Sequence, residues 1–139
     1  MTNPKLAQDY AKRAHGRLVA IKALYLNGLF ADVVRECQEA CELGLKSLIR
    51  QAGHAVPFSH DVSEKLRQIR KDLPAPVQHK IERLCEISKT LRRDRELSFY
   101  GSEDITPSEF YEEKDAKAAI ELLREVLTLI PSERKIKKK

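Results

Sequence analysis

The chain has 139 residues, of which 42% are hydrophobic and 34% charged, with three cysteines and no tryptophan. That length suits one domain with a single core, and no apolar run approaches the roughly 18 residues that a membrane span needs. The N-terminal residues lack the apolar stretch of a signal peptide, and three cysteines without framework spacing do not suit a disulfide-rich secreted protein. The sequence therefore predicts a cytoplasmic protein with no membrane segment.

The net charge of +5 is unevenly distributed along the chain. The last nine residues hold five Lys/Arg and one Glu, or +4, so residues 1–130 carry only +1. A nearly neutral body argues against a large nucleic-acid-binding face. We predict one helical domain over residues 1–131, followed by a basic, disordered tail over residues 132–139.

The first half of the chain has helical periodicity. The first predicted helix begins near Pro4 and ends at Asn27-Gly28, and the second runs from about Phe30 to Ala52. The expected inward positions of the first are Leu6, Tyr10, Ala14, Leu18, Ile21 and Tyr25. Those of the second are Val34, Cys37, Cys41, Leu45 and Leu48. Each set recurs every three or four residues, as one face of an amphipathic helix does.

Three further helices follow, at about 61–72, 76–100 and 108–130. Gly53 and Pro57 interrupt the pattern before the first of them, and a Leu-Pro-Ala-Pro run separates it from the next. No strand pattern or internal repeat is present, and the connectors are short. The sequence predicts an all-α protein with an antiparallel up-down bundle of four to five helices.

Two groups of residues invite a chemical interpretation but favour a structural one. Cys37 and Cys41 have the spacing of two metal ligands on a helix. No second Cys/His pair accompanies them, so we interpret both as core residues and predict no metal site. His60 beside Asp61 resembles a base and its orienting group, although Asp61 is also well placed to cap the third helix. These two residues are weaker site candidates.

The strongest candidate site lies at the end of the fourth helix. The stretch 91–111 reads LRRDRELSFYGSEDITPSEFY, with three arginines, an aromatic pair, a glycine and then a new helix start. The candidate residues for nucleotide or RNA binding are Arg92, Arg93, Arg95, Glu96 and Tyr100. Arginine presents a planar donor fork suited to phosphate. The alternative is that these charges pair with each other or join two copies of the chain, and the sequence leaves both open.

The same stretch, together with SLIRQAGHAVPFSHDV at residues 47–62, resembles the HEPN family over about residues 5–130. The resemblance implies a helical bundle that usually pairs as a homodimer. It also implies a minimal nucleotidyltransferase as partner, in a two-component system of the toxin–antitoxin kind. Many members of the family are ribonucleases with an arginine, four to six spacers and a histidine.

This chain departs from that ribonuclease motif. No histidine follows His79, so none stands at the required distance after the arginines. Tyr100 follows Arg95 by five residues, but a phenol with a pKa of about 10 is a poor base at neutral pH. We therefore predict a non-catalytic module that binds a nucleotide or RNA without a cofactor. The alternatives are a ribonuclease with a degenerate motif, using Arg95 with Tyr100 or His60, and a pure interaction module.

Overall fold

The computed structural model describes residues 4–100 and 105–131, except for the side chains of residues 4 and 94–100. All regular structure within these ranges is helical. The α-helices are α1 (Pro4–Leu26), α2 (Phe30–Gln51), α3 (Ser63–Gln68), α4 (Ala75–Gln78), α5 (Ile81–Tyr100), α6 (Pro107–Phe110) and α7 (Glu113–Leu127). A 3-10 turn at Arg70–Asp72 follows α3. The predicted all-α bundle is confirmed, and in the described ranges no helix is long and apolar enough to cross a membrane.

Helix α2 forms the centre of the bundle. It packs most extensively against α1 and then against α7 and α5. The five inward positions predicted for it are all buried, and small residues such as Gly44 and Ser47 are buried on its other sides. A helix with apolar or small residues around most of its circumference is suited to the interior of a bundle. The three other long helices therefore surround α2.

The inward face of α1 is rotated from the predicted one. Ala7, Ala11, Ala14 and Ile21 are buried, whereas the other predicted positions, including Tyr10, are only half-buried. Alanine side chains allow two helix backbones to approach closely, so the small residues turn toward α2 and the larger ones flank the contact. The end of α1 is as predicted, because Gly28 adopts a positive φ of 72°.

The later helices are more divided than the periodicity predicts. The predicted third helix is α3 plus the 3-10 turn, and the predicted fourth is α4 and α5, separated at residues 79–80. The predicted last helix is α6 and α7, because Tyr111 and Glu112 are extended. Glu112 then starts α7 by exchanging hydrogen bonds with Asp115, which is a capping box. Local capping therefore interrupts a pattern whose apolar residues still face one core.

His15 is half-buried on α1. Its Nε2 lies 2.9 Å from the carbonyl oxygen of Ile130, so the ring joins α1 to the residues after α7. The predicted basic tail at 132–139 lies outside the described residues, and the boundary at residue 131 stays a prediction.

Candidate functional site

Arg92 on α5 faces Asp61, which lies just before α3. The guanidinium Nη2 is 3.5 Å from Asp61 Oδ1, and the Arg92 side chain is 26% exposed. At 3.5 Å the contact is an ion pair without a close hydrogen bond. The Nε atom of Arg92 is buried, with no hydrogen-bond partner among the described residues. Asp61 therefore pairs with the charge of Arg92 on one side, and the other guanidinium nitrogens of Arg92 do not donate a hydrogen bond to Asp61.

Asp61 also holds the start of α3. Its Oδ1 accepts a hydrogen bond from the backbone N–H of Ser63 at 3.0 Å. That backbone bond is the main cause of the lowered pKa of Asp61, and the positive charges of Arg92 and Arg67 add to it. Asp61 is not the N-cap residue of α3, which is Val62, but its side chain accepts a hydrogen bond from the N–H of the first helical residue, and the carboxylate stays ionised beside Arg92.

His60 turns to the opposite side, toward α2. Its Nδ1 lies 2.7 Å from Oε1 of Glu42, and the same oxygen is 3.4 Å from Nζ of Lys46. Glu42 is buried, whereas the His60 side chain is 69% exposed. A buried carboxylate needs such partners, because an unpaired one is costly to desolvate. His60 and Asp61, adjacent in the chain, thus connect this segment to α2 and α5 respectively.

A cavity of about 440 Å³ opens on the α2 side of this segment. Its lining residues are Tyr10, Glu42, Lys46, Arg50, Val56, Pro57, Phe58, Ser59 and His60. Lys46 and Arg50 place two positive charges in the lining, and Phe58 is fully exposed beside them. Proteins bind single-stranded nucleic acids and nucleotides through cations that contact phosphate and aromatic rings that stack on bases. The lining of this cavity has both kinds of group.

The structure brings some predicted site residues together and leaves others untested. Arg92 contacts Asp61, although the two lie in separate predicted groups, whereas His60 contacts Glu42 on α2 instead. Arg93 is exposed on α5. The side chains of Arg95, Glu96 and Tyr100 lie outside the described residues, so their part in a site stays a prediction.

Sequence reasoning missed the contribution of α2. Glu42, Lys46 and Arg50 are spaced four residues apart, which puts them on one face of the helix. That spacing was visible in the sequence, but it does not indicate which later segment covers the face. The contact between His60 and Glu42 supplies that information.

The two cysteines on α2 are core residues, as predicted. Both are buried, and burial raises the pKa of each thiol to about 12. Both thiols therefore stay protonated near neutral pH, where a protonated thiol is a poor nucleophile. In the part of the chain that the structure describes, no group of His, Cys, Asp or Glu side chains is arranged to hold a metal ion.

A family model described as "HEPN domain" matches residues 7–135, nearly the whole chain. The chain belongs to the HEPN family. The resemblance seen in the stretches 47–62 and 91–111 is thereby confirmed, and the HEPN match includes every candidate residue named above. No curated protein and no solved structure matched the chain.

HEPN membership supports a nucleotide- or RNA-related module in general. The arginine–histidine spacing of the HEPN ribonucleases is absent after Arg92, as the sequence itself shows. His60 is next in the chain to Asp61, the ion-pair partner of Arg92, but its own ring contacts Glu42 on α2.

Proposed function

We propose that this HEPN chain is a non-catalytic module that binds a nucleotide or single-stranded RNA at the end of α5. Phosphate would contact Arg92, with Arg93 and Arg95 beside it, and Glu96 and Tyr100 complete the predicted groove. The proposal includes His60 and Asp61 as residues that position the cleft. Neither a metal nor a cofactor is required.

The observation that supports the proposal most is the position of Arg92 beside Asp61, which is next in the chain to the cavity-lining residue His60. Asp61 occupies one side of the guanidinium at 3.5 Å, longer than a good hydrogen bond, so a phosphate oxygen could compete for the same donors. Lys46 and Arg50 add positive charge in the cavity, where Phe58 and Tyr10 offer aromatic faces. A nucleotide needs both kinds of contact.

The test is a titration of fluorescently labelled single-stranded RNA, and separately of labelled ATP, with the full chain in the presence of EDTA. Arg92→Ala is the informative variant. Arg83→Ala is its matched control, because it removes the same charge from the same helix. Positions 83 and 92 are about two and a half turns apart, on opposite faces of α5. We expect Arg92→Ala to weaken binding at least about tenfold and Arg83→Ala to leave it nearly unchanged.

The basic tail needs its own control, since lysines bind RNA without specificity and with strong salt dependence. A full-length variant with Arg134, Lys135, Lys137, Lys138 and Lys139 changed to Gln is titrated at low and at physiological salt. We expect the effect of Arg92→Ala to persist in that background. If the tail variant alone removes all binding, the proposed site is wrong.

The same titration separates the alternatives. Metal-independent cleavage that Arg95→Ala or His60→Ala abolishes would make the protein a ribonuclease with an unusual site. An absence of binding, combined with a changed oligomeric mass in Arg92→Ala, would make the arginines part of an interface between proteins.

We further propose that the chain is a cytoplasmic homodimer that acts with a minimal nucleotidyltransferase in a two-component, toxin–antitoxin-like system. Family membership supports this finer proposal. Analytical ultracentrifugation of the chain alone, and after coexpression with a nucleotidyltransferase encoded by an adjacent gene, tests both parts. A monomer that forms no complex with that enzyme contradicts them.

A further inference from the structure

The second half of α1 presents an apolar stripe to the outside of the bundle. The stripe consists of Gly16, Val19, Ala20, Ala23 and Leu26, which are all exposed. Val19 is 78% and Leu26 is 71% exposed. Their spacing puts them on one face over about three helical turns, and the face carries no charge. Scattered exposed apolar residues are ordinary, but a continuous stripe of this kind marks a contact surface.

A groove between α1 and α7 adjoins the stripe at Leu26. It has a volume of about 580 Å³ and a largely apolar floor. Its lining residues are Leu18, Ile21, Lys22, Tyr25, Leu26, Lys117, Ile120, Glu121 and Arg124. We call this groove, together with Leu26 and the neighbouring Val19 at its rim, the α1–α7 face, whereas Gly16, Ala20 and Ala23 lie on a different side of α1 from the groove. The shape of the face suits an amphipathic helix, whose apolar side chains recur along one line.

The charges around the α1–α7 face are mainly positive. Its edge has three cations, Lys22, Lys117 and Arg124, and one carboxylate, that of Glu121. Lys117 is 3.3 Å from Glu113, which also accepts a hydrogen bond from the Tyr25 hydroxyl. Within the described ranges, no side-chain hydrogen bond or ion pair engages Lys22 or Arg124. Two cations at the edge are therefore available to an incoming carboxylate.

The same charges disfavour a second copy of the chain as the occupant. The lining of the α1–α7 face has three cations and one carboxylate, so two copies packed through it would bring the same net positive charge together. A partner with carboxylates beside its apolar stripe would meet complementary charge instead. Charge complementarity therefore favours a partner with carboxylates over a second copy of the chain.

We propose that the α1–α7 face binds an amphipathic helix of a partner protein, with an apolar stripe flanked by Asp and Glu. Leu26 and Val19 contact the apolar side chains of that helix, and Lys22 and Arg124 pair with its carboxylates. The proposal does not depend on nucleotide binding, because none of its residues lies in the cavity beside His60.

The probe is a labelled synthetic helix with leucines at i, i+3 and i+4 spacing flanked by glutamates, titrated into the full chain by fluorescence anisotropy. A second peptide has lysine in place of every glutamate. We expect the glutamate peptide to bind at least about tenfold more tightly than the lysine peptide. Leu26→Glu should weaken its binding by a similar factor. Phe110→Glu is the matched control, since it puts the same charge on an exposed apolar residue outside the face.

A charge-reversal variant, Lys22→Glu with Arg124→Glu, should bind the lysine peptide in preference to the glutamate peptide. Both positions are exposed, so the variant should retain the thermal unfolding of the parent chain. Equal binding of the two peptides, no binding of either, or no effect of Leu26→Glu overturns the proposal. So does a dimer in ultracentrifugation that Leu26→Glu dissociates and Phe110→Glu does not, since the face then binds a second copy.

Discussion

Asp61 and Arg92 face each other across the junction of α3 and α5, with Oδ1 3.5 Å from Nη2. The same carboxylate oxygen accepts the backbone N–H of Ser63. The Asp61 side chain therefore contacts both the first residue of α3 and Arg92 on α5. Asp61 and Arg92 are both predicted site residues, so the ionisation of the Asp61 carboxylate should influence both folding and binding.

The first prediction concerns acid stability. The pKa of Asp61 is below its ordinary value of 3.8, chiefly because of the Ser63 backbone bond. A carboxylate with a lowered folded pKa stabilises the native state fully above its ordinary pKa, and the effect is lost as pH falls through the lower folded pKa. Asp61→Asn should therefore lower the free energy of unfolding at neutral pH, and the difference from the parent should shrink below pH 3.8.

Urea denaturation over a pH series measures this effect. Asp9→Asn, which removes an exposed carboxylate from α1, controls for the change in net charge. A difference between the parent and Asp61→Asn that stays constant through the acid range would falsify the assignment.

The second prediction compares two arginine–glutamate pairs, one formed through a single arginine nitrogen and one through two. Arg17 contacts both oxygens of Glu36 at 3.0 and 2.9 Å, with side chains 29% and 13% exposed. Arg67 contacts Glu82 at 2.9 Å through two nitrogens, with side chains 51% and 70% exposed. Exposed pairs contribute about 0–1 kcal/mol, whereas removing one partner of a buried pair is more costly.

Glu36→Gln should thus destabilise the protein by roughly 1–3 kcal/mol, and Glu82→Gln by less than about 1 kcal/mol. Chemical denaturation of both variants in urea checks this order. High salt should reduce the smaller effect further, because exposed charges are screened. Equal losses in the two variants would show that burial does not govern these pairs.

The third prediction uses two glycines on neighbouring helices. A Cβ at Gly44 would lie 3.2 Å from Cγ1 of Ile130 and 3.6 Å from Cγ1 of Val126, so α2 and the end of α7 meet closely there. A leucine at this position must displace both neighbours, which costs about 1–3 kcal/mol or more. Thermal unfolding of Gly44→Leu should show a lower midpoint than that of the parent.

Gly16→Leu is the matched change at an open position, where no atom lies within 4 Å of the added Cβ. Leucine has the higher helix propensity, so a gain of up to roughly 1 kcal/mol is expected. If Gly44→Leu were as stable as Gly16→Leu, the close contact between α2 and Ile130 would be wrong.

The fourth prediction concerns thiol reactivity. Cys37, Cys41 and Cys85 are free and buried, and the pKa values of Cys37 and Cys41 are raised to about 12. Ellman's reagent at pH 8 should react slowly with the native chain and rapidly with all three thiols after unfolding in guanidinium. Rapid modification of a native thiol would contradict the packing of α2.

The sequence predicts the main helices because apolar residues at helical spacing lie on one face of a helix, and that face is stable only when it is buried. The five inward positions predicted for α2 are all buried. The rotation of α1 toward Ala7 and Ala11 was not predictable, since alanine has a weak hydrophobic signal and its burial depends on the neighbouring helix. The breaks before α5 and α7 depend on turn and capping geometry, which periodicity does not detect.

The candidate site, too, was only partly predictable from the sequence. Arg92 and Arg93 are evident from the sequence as charges at a helix end, and the HEPN resemblance adds their context. The pairing of Arg92 with Asp61 and of His60 with Glu42 involves residues far apart in the chain. No spacing rule connects them, because the distance depends on how α2, α3 and α5 pack.

By itself, the sequence determined that this protein is helical, that it belongs with HEPN proteins, and that it lacks their arginine–histidine motif. Local periodicity and residue identity are sufficient for those conclusions. Only the tertiary structure decided that Asp61 faces Arg92, that the cavity adjoins His60, and that an uncharged stripe on α1 remains outside the core. These relationships arise from side chains on different helices, and their positions are fixed only when the helices pack around α2.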